Sequence, residues 1–215
     1  MLKEMFTIVI QAGGESRRMG QDKALLPFLG QPLIEHILER ISGLADEILV
    51  TTNNPGTLQF LGVPLYPDLL PDRGALGGLY SALSAASHPL VGIVACDMPF
   101  LNSDLLAFER EKLMETKADV VIPETGSGLE PFHAVYRRST CLEPVKSALD
   151  AGKWRVDAWF YQVKLLALTS EEMRLYDPYL VSFWNVNTPE DLSHAQKMAI
   201  EIKGQRNNFE DQEND

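Results

Sequence analysis

The chain has 215 residues, 45% of them hydrophobic, and a formal net charge of −11 at pH 7. This charge argues against a nucleic-acid-binding protein, which needs a basic face, and no apolar run approaches the ~20 residues that span a bilayer. The length and composition suit one globular α/β domain with its own core.

The cysteines and the N-terminus indicate the cellular compartment. Cys96 and Cys141 are the only cysteines, and two scattered cysteines are typical of reduced thiols. Lys3 and Glu4 stand near the N-terminus, where no long apolar segment or cleavage site is found, so we expect no signal peptide. We therefore predict a cytoplasmic protein that has neither membrane nor nucleic-acid partners.

The most informative stretch begins with a strand and a glycine turn. Residues 6–10 are nearly all apolar and β-branched or aromatic, which predicts a strand covered on both faces of a parallel sheet. Gly13 and Gly14 open a tight turn whose backbone amides can cradle phosphate oxygens. Three cations follow the turn: Arg17, Arg18 and Lys23. The pattern predicts a triphosphate-binding loop; the structural alternative is a strand-to-helix turn with a solvated basic loop.

Two common phosphate loops are excluded by spacing. The Walker loop requires Gly-Lys-Ser/Thr at its end, whereas Lys23 comes three residues after Gly20 and is followed by Ala24. The dinucleotide fingerprint Gly-x-Gly-x-x-Gly is not formed by the glycines of this stretch either.

Polar residues follow the second predicted strand. Apolar residues recur at helical spacing up to about residue 42, and residues 48–50 form a buried strand that leads into Thr51 and Asn53. Polar side chains at the carboxyl end of a parallel strand lie where α/β proteins bind ligands. Thr and Asn also cap helices, and the residues alone leave the two roles open.

A third short strand is predicted over residues 63–66, followed by Asp68 and a loop rich in glycine and proline. Gly74, Gly77 and Gly78 in this loop allow the backbone to approach a ligand closely before a helix begins.

Asp97 is the candidate metal ligand. It directly follows the strongly apolar strand of residues 90–95, at the same edge as the first glycine turn if the sheet is parallel. A carboxylate there can hold Mg²⁺, which prefers oxygen ligands and bridges to phosphates. The structural alternative is a turn or helix-capping role before Pro99.

The rest of the chain continues the alternation of strands and helices. His133, in a predicted strand, has three candidate roles: a contact to a second substrate, a general base, or a hydrogen-bonded strand residue. Thr188 and Asp191 have the spacing of a helix capping box. Strands are predicted over residues 119–123, 130–138, 163–168 and 179–184, and helices over residues 102–116 and 140–150 and from Gly152 onward.

The order of elements predicts a three-layer α/β/α sandwich around a mainly parallel, Rossmann-like sheet. We expect one domain over residues 1–203. Residues 204–215 contain one apolar residue among acids and amides, and predict a disordered acidic tail that is dispensable for catalysis.

Residues 12–25 resemble the signature of the molybdenum cofactor guanylyltransferases, within the wider nucleotidyltransferase group. The Gly-x-x-x-Arg-Met-Gly-x-x-Lys core of residues 14–23 marks the wider group, while the Ala-Gly-Gly opening and the Asp-Lys-Ala-Leu ending favour guanylyl transfer. Gln11 departs from the pattern, because the family usually has Leu there. The Asn-x-Asn-Thr-Pro-Glu-Asp-Leu block at residues 185–192 also matches the family.

The resemblance implies that GMP passes from GTP to the terminal phosphate of molybdopterin with the help of Mg²⁺. It implies catalytic roles for Lys23, Arg17 and Asp97, with Asp97 holding the metal, and it places Lys153 and Arg155 near the pterin. It also gives molybdopterin carriers and apo-molybdoenzymes as candidate protein partners. Its implied nucleotide contacts are Gln11, Ala12, Gly13, Gly14, Lys23, Thr51, Asn53, Asp68 and Asp97.

Other functions share parts of this pattern. A cytidylyltransferase acting on the same pterin has the first motif with an Ala-Ala-Gly opening, and sugar or isoprenoid nucleotidyltransferases share only the core. A non-catalytic protein that binds the nucleotide or delivers the cofactor is a further alternative, against which the intact Lys23 and Asp97 argue.

Overall fold

Strands and helices alternate along the computed structural model, which describes residues 4–13 and 22–213 and, in the last helix, side chains up to Ile202. The strands are β1 (Phe6–Gln11), β2 (Pro27–Phe28), β3 (Gln31–Pro32), β4 (Glu47–Thr52), β5 (Leu65–Pro67), β6 (Leu90–Ala95), β7 (Val120–Thr125), β8 (Gly128–Leu129), β9 (His133–Arg137) and β10 (Leu165–Leu168). The helices are α1 (Leu33–Ile41), α2 (Gly74–Ala85), α3 (Ser103–Thr116), α4 (Arg138–Asp150), α5 (Ser170–Met173) and α6 (Pro189–Glu213).

The central sheet is mainly parallel, as predicted. Its strands lie in the order β10-β7-β9-β6-β1-β4-β5, and β8 pairs with β7. The pairs β1–β4, β1–β6, β4–β5 and β7–β10 are parallel, while β9 runs antiparallel to both β6 and β7. The short strands β2 and β3 form a separate antiparallel pair.

Helices cover both faces of the sheet, which confirms the three-layer sandwich. Side chains alternate along a strand, so Ile8 and Ile10 of β1 pack on one face with α1 and α3, and Val9 packs on the other with α2 and α4. These three strand residues are fully buried. This two-sided burial explains why β1 is a continuous apolar run rather than an alternating one.

The parallel arrangement brings three strand ends to one edge. Gln11 at the end of β1 lies in register with Thr51 of β4 on one side and with Ala95 of β6 on the other. The segments after these strands therefore emerge side by side, and they carry Gly13, Asn53 and Asp97.

Three local predictions are wrong. Gly77 and Gly78 were predicted in a loop but are buried within α2. The sequence predicts a last strand over residues 179–184, but Val181–Phe183 form a 3₁₀ turn. It predicts that Gly152 opens a helix, but this residue ends α4 in a left-handed conformation with φ of 73°. The Gly152 amide donates to the Leu149 carbonyl oxygen at 2.9 Å, and the next amide donates to the Ala148 carbonyl oxygen at 3.0 Å. This is the geometry of a glycine that caps a helix C-terminus.

The last helix begins at the predicted capping box. The Asp191 carboxylate accepts from the Thr188 amide at 2.9 Å, and the Thr188 hydroxyl accepts from the Asp191 amide at 3.1 Å. The backbone is helical to Glu213, where the sequence predicts a disordered tail; the limit of the domain at residue 203 stays a prediction. Across the described residues, no helix has the length and apolar character needed to cross a membrane.

Candidate active site

A cavity of about 720 Å³ opens at the carboxyl edge of the sheet. Its walls come from the turn after β1 and from the segments after β4, β5 and β6. Gln11, Gly13, Lys23, Asn53, Asp68 and Asp97 all line it. With Ala12, which also lines the cavity, seven of the residues predicted to bind the nucleotide are thus brought together although they are scattered along the chain.

Lys23 and Asp97 form the charged centre of this cavity. The Lys23 ammonium donates to the Asp97 carboxylate at 2.9 Å and to the Asn187 side-chain oxygen at 2.6 Å. The side chains of Lys23 and Asp97 are 22% and 17% exposed, so the pair is partly shielded but can be reached from the cavity. Asp22 accepts from the Ala24 amide at 3.0 Å and caps the turn that carries Lys23.

The loop before α6 holds this centre in place. The Val186 amide donates to the backbone oxygen of Asp97 at 2.9 Å, which joins the loop to the end of β6. Asp191 accepts from the Asn187 amide at 3.0 Å. Hydrogen bonds to its carboxylate, first from the Asn187 amide and then from Thr188, lower the pKa of Asp191 despite partial desolvation. The capping of α6 and the orientation of Asn187 toward Lys23 are therefore set by the same carboxylate.

Gln11 lies against a helix that has no side chain at the contact. A Cβ placed on Gly78 of α2 would stand 1.6 Å from Gln11 Nε2, so only glycine admits this side chain as it is placed. The Oε1 atom of Gln11 and the Oγ1 atom of Thr51 are buried without a hydrogen-bond partner among the described residues. Thr51 is 2% exposed and does not line the cavity, whereas Asn53 does.

Asp68 is fixed from behind and faces the first glycine turn. Its Oδ1 atom accepts from the Ser81 hydroxyl at 2.6 Å and from the Leu70 amide at 3.0 Å. Its Oδ2 atom lies 3.8 Å from where a Cβ of Gly13 would stand. The Oδ1 atom is therefore occupied by hydrogen bonds within the protein, whereas the Oδ2 atom is directed toward the turn after β1.

Residues 8–164 match a family model described as a MobA-like NTP transferase domain. The chain belongs to this family. A molybdenum cofactor guanylyltransferase of Desulfosudis oleivorans is 36% identical over 193 residues, covering 88% of this chain and 94% of the relative. One of Syntrophotalea carbinolica is 33% identical over 191 residues, covering 89% of this chain and 90% of the relative. The resemblance seen in residues 12–25 is confirmed.

Solved structures show the same fold. Molybdopterin-guanine dinucleotide biosynthesis protein A of Archaeoglobus fulgidus superposes with a TM-score of 0.79 at 25% identity, covering 91% of this chain and 99% of that one. The 2-C-methyl-D-erythritol 4-phosphate cytidylyltransferase of Thermus thermophilus superposes with a TM-score of 0.66 at 18% identity, covering 91% of this chain and 98% of that one. The second likeness shows the fold alone.

Few carboxylates are available in the described part of the cavity for a metal ion. Among the described residues, no group of three or more His, Cys, Asp and Glu side chains is arranged to hold a metal ion. Mg²⁺ in nucleotide enzymes commonly uses one or two carboxylates together with substrate phosphates. Asp97 and Asp22 both line the cavity, and both raise the pKa of the Cys96 thiol, after burial, which is the larger cause. Asp97 and Asp22 are therefore the two described carboxylates at this end of the cavity that a cation could use.

His133 belongs to the interior, not to the site. It is fully buried, and its Nδ1 atom lies 2.9 Å from Oε1 of Glu109, which is also fully buried. Burial alone would lower the pKa of His133, but the Glu109 carboxylate raises it above its ordinary value. Burial raises the pKa of Glu109, and His133 offsets part of that effect. The hydrogen-bonded strand residue is the alternative that the structure supports.

Several predicted site residues are not among the described residues that line the cavity. Gly14 and Arg17, like Arg18, lie outside the described residues. Within the described part of the chain, neither Lys153 nor Arg155 lines the cavity, and Arg155 pairs with Asp157 at 2.6 Å.

Cavity residues with polar or aromatic side chains that were not predicted to form the site include Asp22, Asp72, Glu130 and Trp154. Asp22 stands directly before Lys23 in the signature and could have been found from it. Asp72, Glu130 and Trp154 lie in stretches that the sequence singled out, but other residues of those stretches were predicted to form the site.

Proposed function

We propose that this protein transfers GMP from GTP to the terminal phosphate of molybdopterin, in its molybdenum-loaded form, and releases pyrophosphate. An oxygen of the acceptor phosphate forms a bond to the α-phosphorus of GTP, while the bond from that phosphorus to the bridging oxygen breaks. Pyrophosphate leaves with the electron pair of that bond. The observation that carries this proposal is the Lys23–Asp97 pair at the carboxyl edge of the sheet, in a chain 36% identical to a named guanylyltransferase.

Charge neutralisation is the main task of the site, because two anions must meet. Lys23 is held by Asp97 and Asn187 at the cavity wall, where its ammonium can approach phosphate oxygens without reorganising. Fixed placement also lowers the entropic cost of bringing both substrates together. Arg17 would offset negative charge on the departing pyrophosphate; this role stays a prediction.

The nucleotide side of the cavity is assigned to the ends of β1, β4 and β5. The amides of Gly13 and Gly14 would hold phosphate oxygens. Gln11, Ala12, Asn53 and Asp68 line the region next to them and would contact the base and ribose. Thr51 is buried behind this surface, and its predicted contact with the nucleotide is the least supported of the set.

Asp97, with Asp22 beside it, would hold Mg²⁺ together with the GTP phosphates. Carboxylate oxygens are the ligands that this hard cation prefers. When bound, the ion supplies Lewis-acid polarisation of phosphoryl oxygens and neutralises charge on the departing pyrophosphate. Lys23 then has the further role of keeping Asp97 oriented, since it bonds to one of its two oxygens at 2.9 Å.

The chain needs no protein nucleophile for this reaction. A phosphate monoester acceptor is already ionised near neutral pH. Cys96 lines the cavity, but burial raises the pKa of its thiol well above the ordinary value, so the reactive thiolate is disfavoured. His133 is fully buried and cannot reach the acceptor.

The reaction is tested by product formation. The full chain is incubated with molybdopterin, Mg²⁺ and each of GTP, CTP, ATP and UTP, and the dinucleotide and pyrophosphate are quantified. We expect product with GTP above all. Product with CTP instead would make the protein a cytidylyltransferase, and nucleotide binding without any product would indicate a delivery protein.

The setting of the reaction is inferred from its substrates. We place it in the cytoplasm, with molybdopterin carriers as the source of the acceptor and apo-molybdoenzymes as recipients of the product. Co-purification of the tagged chain with such a protein in the presence of GTP would support these partners, and their absence under cross-linking would argue against them.

A further inference from the structure

Trp154 is an exposed aromatic residue at the wall of the cavity. Its side chain is 57% exposed, yet it lines the same cavity as Lys23 and Asp97. The other two tryptophans differ, because Trp159 is fully buried in the core and Trp184 stacks on His194. A large apolar ring left open to a substrate cavity has a surface available for a flat ligand.

The ring of Trp154 is held on one side by an arginine. The guanidinium carbon of Arg73 lies 5.0 Å from the centre of the indole ring, within cation–π distance. Arg73 is itself fixed, because its Nη2 atom donates to the Leu149 carbonyl oxygen at 2.5 Å. The contact couples the loop after α4 to the start of α2, so the indole is oriented before any ligand arrives.

The surroundings of the ring favour a neutral heterocycle over a phosphate. Asp72 and Glu130 also line the cavity, and Glu130 is anchored by a hydrogen bond from the Thr125 hydroxyl at 2.9 Å. Carboxylates repel phosphate groups but accept hydrogen bonds from ring N–H and amino groups. At Gly74, where α2 begins, a Cβ would meet no atom within 4 Å, so the wall has open space there.

Trp154 follows a different strand of the sheet from the nucleotide residues, although Arg73, which contacts it, comes from the segment after β5. It comes after α4, which in turn comes after β9, and β9 is separated from β1 by β6 in the sheet. Gln11, Asn53 and Asp68 come from the other direction, at the ends of β1, β4 and β5. A second flat group, distinct from the base of the nucleotide, is therefore what this ring is placed to receive.

We propose that Trp154 provides the stacking surface for the pterin ring of the acceptor substrate, with Arg73 holding the indole from behind. This inference rests on the proposed function, which supplies the pterin-bearing acceptor. In the segment where a basic pair was expected to serve the pterin, the aromatic residue between the two cations is the one that lines the cavity. Trp154 thus gives the site specificity for an acceptor that has a flat ring. The phosphate of that acceptor extends toward Lys23.

The test is steady-state GMP transfer by the full chain with Trp154→Ala, Trp154→Phe and Tyr161→Ala. Tyr161 is a matched control, because it is an aromatic residue of the same region, 84% exposed, that does not line the cavity. Loss of a stacking partner is expected to raise the KM for molybdopterin about tenfold or more in Trp154→Ala, with the KM for GTP within about twofold. Trp154→Phe should retain most of the affinity, and Tyr161→Ala should behave as the unsubstituted chain. Thermal unfolding checks that each variant is folded.

The outcomes separate the two proposals. Transfer by the unsubstituted chain with an unchanged molybdopterin KM in Trp154→Ala would overturn this inference and leave the proposed function in place. A raised KM for GTP instead of molybdopterin would also overturn it, since Trp154 would then serve the guanine. Absence of GMP transfer by the unsubstituted chain would overturn the proposed function itself.

Discussion

The ammonium of Lys23 and the carboxylate of Asp97 lie 2.9 Å apart, although 74 residues separate them in the chain. One comes after the first strand and the other comes after β6, its parallel neighbour. The pair is therefore a product of the sheet topology. It places one cation and one anion where α/β sheets present ligands, beyond the carboxyl ends of the strands.

Replacing Lys23 by Ala should slow GMP transfer by about 10²–10³ in kcat, because a preorganised charge aimed at the phosphates is lost. The KM for GTP should change less than kcat. Turnover under saturating GTP and molybdopterin measures this effect. An unchanged rate would remove Lys23 from the mechanism.

The control for this substitution is Lys146→Ala. Lys146 forms an ion pair of similar length with Asp150, at 2.8 Å, on the outer surface of α4. Exposed pairs of this kind contribute about 0–1 kcal/mol to stability. Lys146→Ala should therefore leave both kcat and the unfolding temperature near those of the unsubstituted chain.

Gly78→Ala tests the close contact between α2 and the end of β1. The new methyl group would collide with the Gln11 side chain at 1.6 Å and force it out of place. We expect the free energy of unfolding to fall by about 1–3 kcal/mol and GTP affinity to fall with it. In a Gln11→Ala background the collision is gone, and the same substitution should stabilise the chain by about 1 kcal/mol through helix propensity.

Gly126→Ala is the matched control for that experiment, because a Cβ there meets no atom within 4 Å. It should change the free energy of unfolding by less than about 0.5 kcal/mol. If Gly78→Ala destabilises the chain equally in both backgrounds, the contact with Gln11 is not the cause, and a different atom of the helix environment must be responsible.

The buried Glu109–His133 pair predicts a pH dependence of stability. The folded pKa of His133 is raised above 6.5, so its contribution is fully present below that pH and is lost as the pH rises through the folded pKa. The pKa of Glu109 is also raised, from 4.5, so the contribution of this group to the free energy of unfolding likewise falls as the pH rises above 4.5. Urea unfolding between about pH 6 and pH 9 should show a falling free energy of unfolding. Glu130 contributes weakly to the His133 shift and should not set the slope.

Glu109→Gln should flatten this dependence, because the imidazole loses the charge that stabilises its protonated form. Glu111→Gln, on the exposed side of the same helix, should leave the slope unchanged. A slope that persists in Glu109→Gln would show that other groups dominate the pH dependence.

Much of the fold can be predicted from local patterns of the sequence. Residues buried on both faces, such as Val9 and Ile10, make β1 recognisable as a central strand. Parallel pairing then brings the segments after the strands to one edge, so the convergence of Lys23 and Asp97 could be predicted without coordinates. The Thr188–Asp191 capping box is equally local, because all of its partners lie within three residues.

The errors arose where a side chain or a turn overrides the apolar pattern. The apolar residues around Val181 suggested a strand, but the buried Asp177 carboxylate accepts from both the amide and the hydroxyl of Ser182 at 2.7 Å and closes a turn. Leu180 adopts a left-handed φ of 54° at this point. Hydrogen bonds made by a single carboxylate do not show in the pattern of apolar residues along the sequence.

The site residues that were missed share a similar reason. Trp154 and Glu130 enter the cavity from single loop positions, and their placement depends on how α4 and β9 pack against the sheet. Lys153 and Arg155 were predicted near the pterin because they resemble a basic pair of the family, yet Arg155 is paired with Asp157. Charge pattern alone did not show which member of the segment faces inward.

The most direct test of the proposed function is the affinity of the full chain for GTP, CTP, ATP and UTP, measured by calorimetry with Mg²⁺, in the unsubstituted protein and in Asp97→Ala. We expect GTP to bind most tightly, and we expect the substitution to weaken this binding by about tenfold or more, because the metal–phosphate contact is lost. Equal affinity for all four nucleotides, or GTP binding that is unaffected by Asp97→Ala and by removal of Mg²⁺, would contradict it.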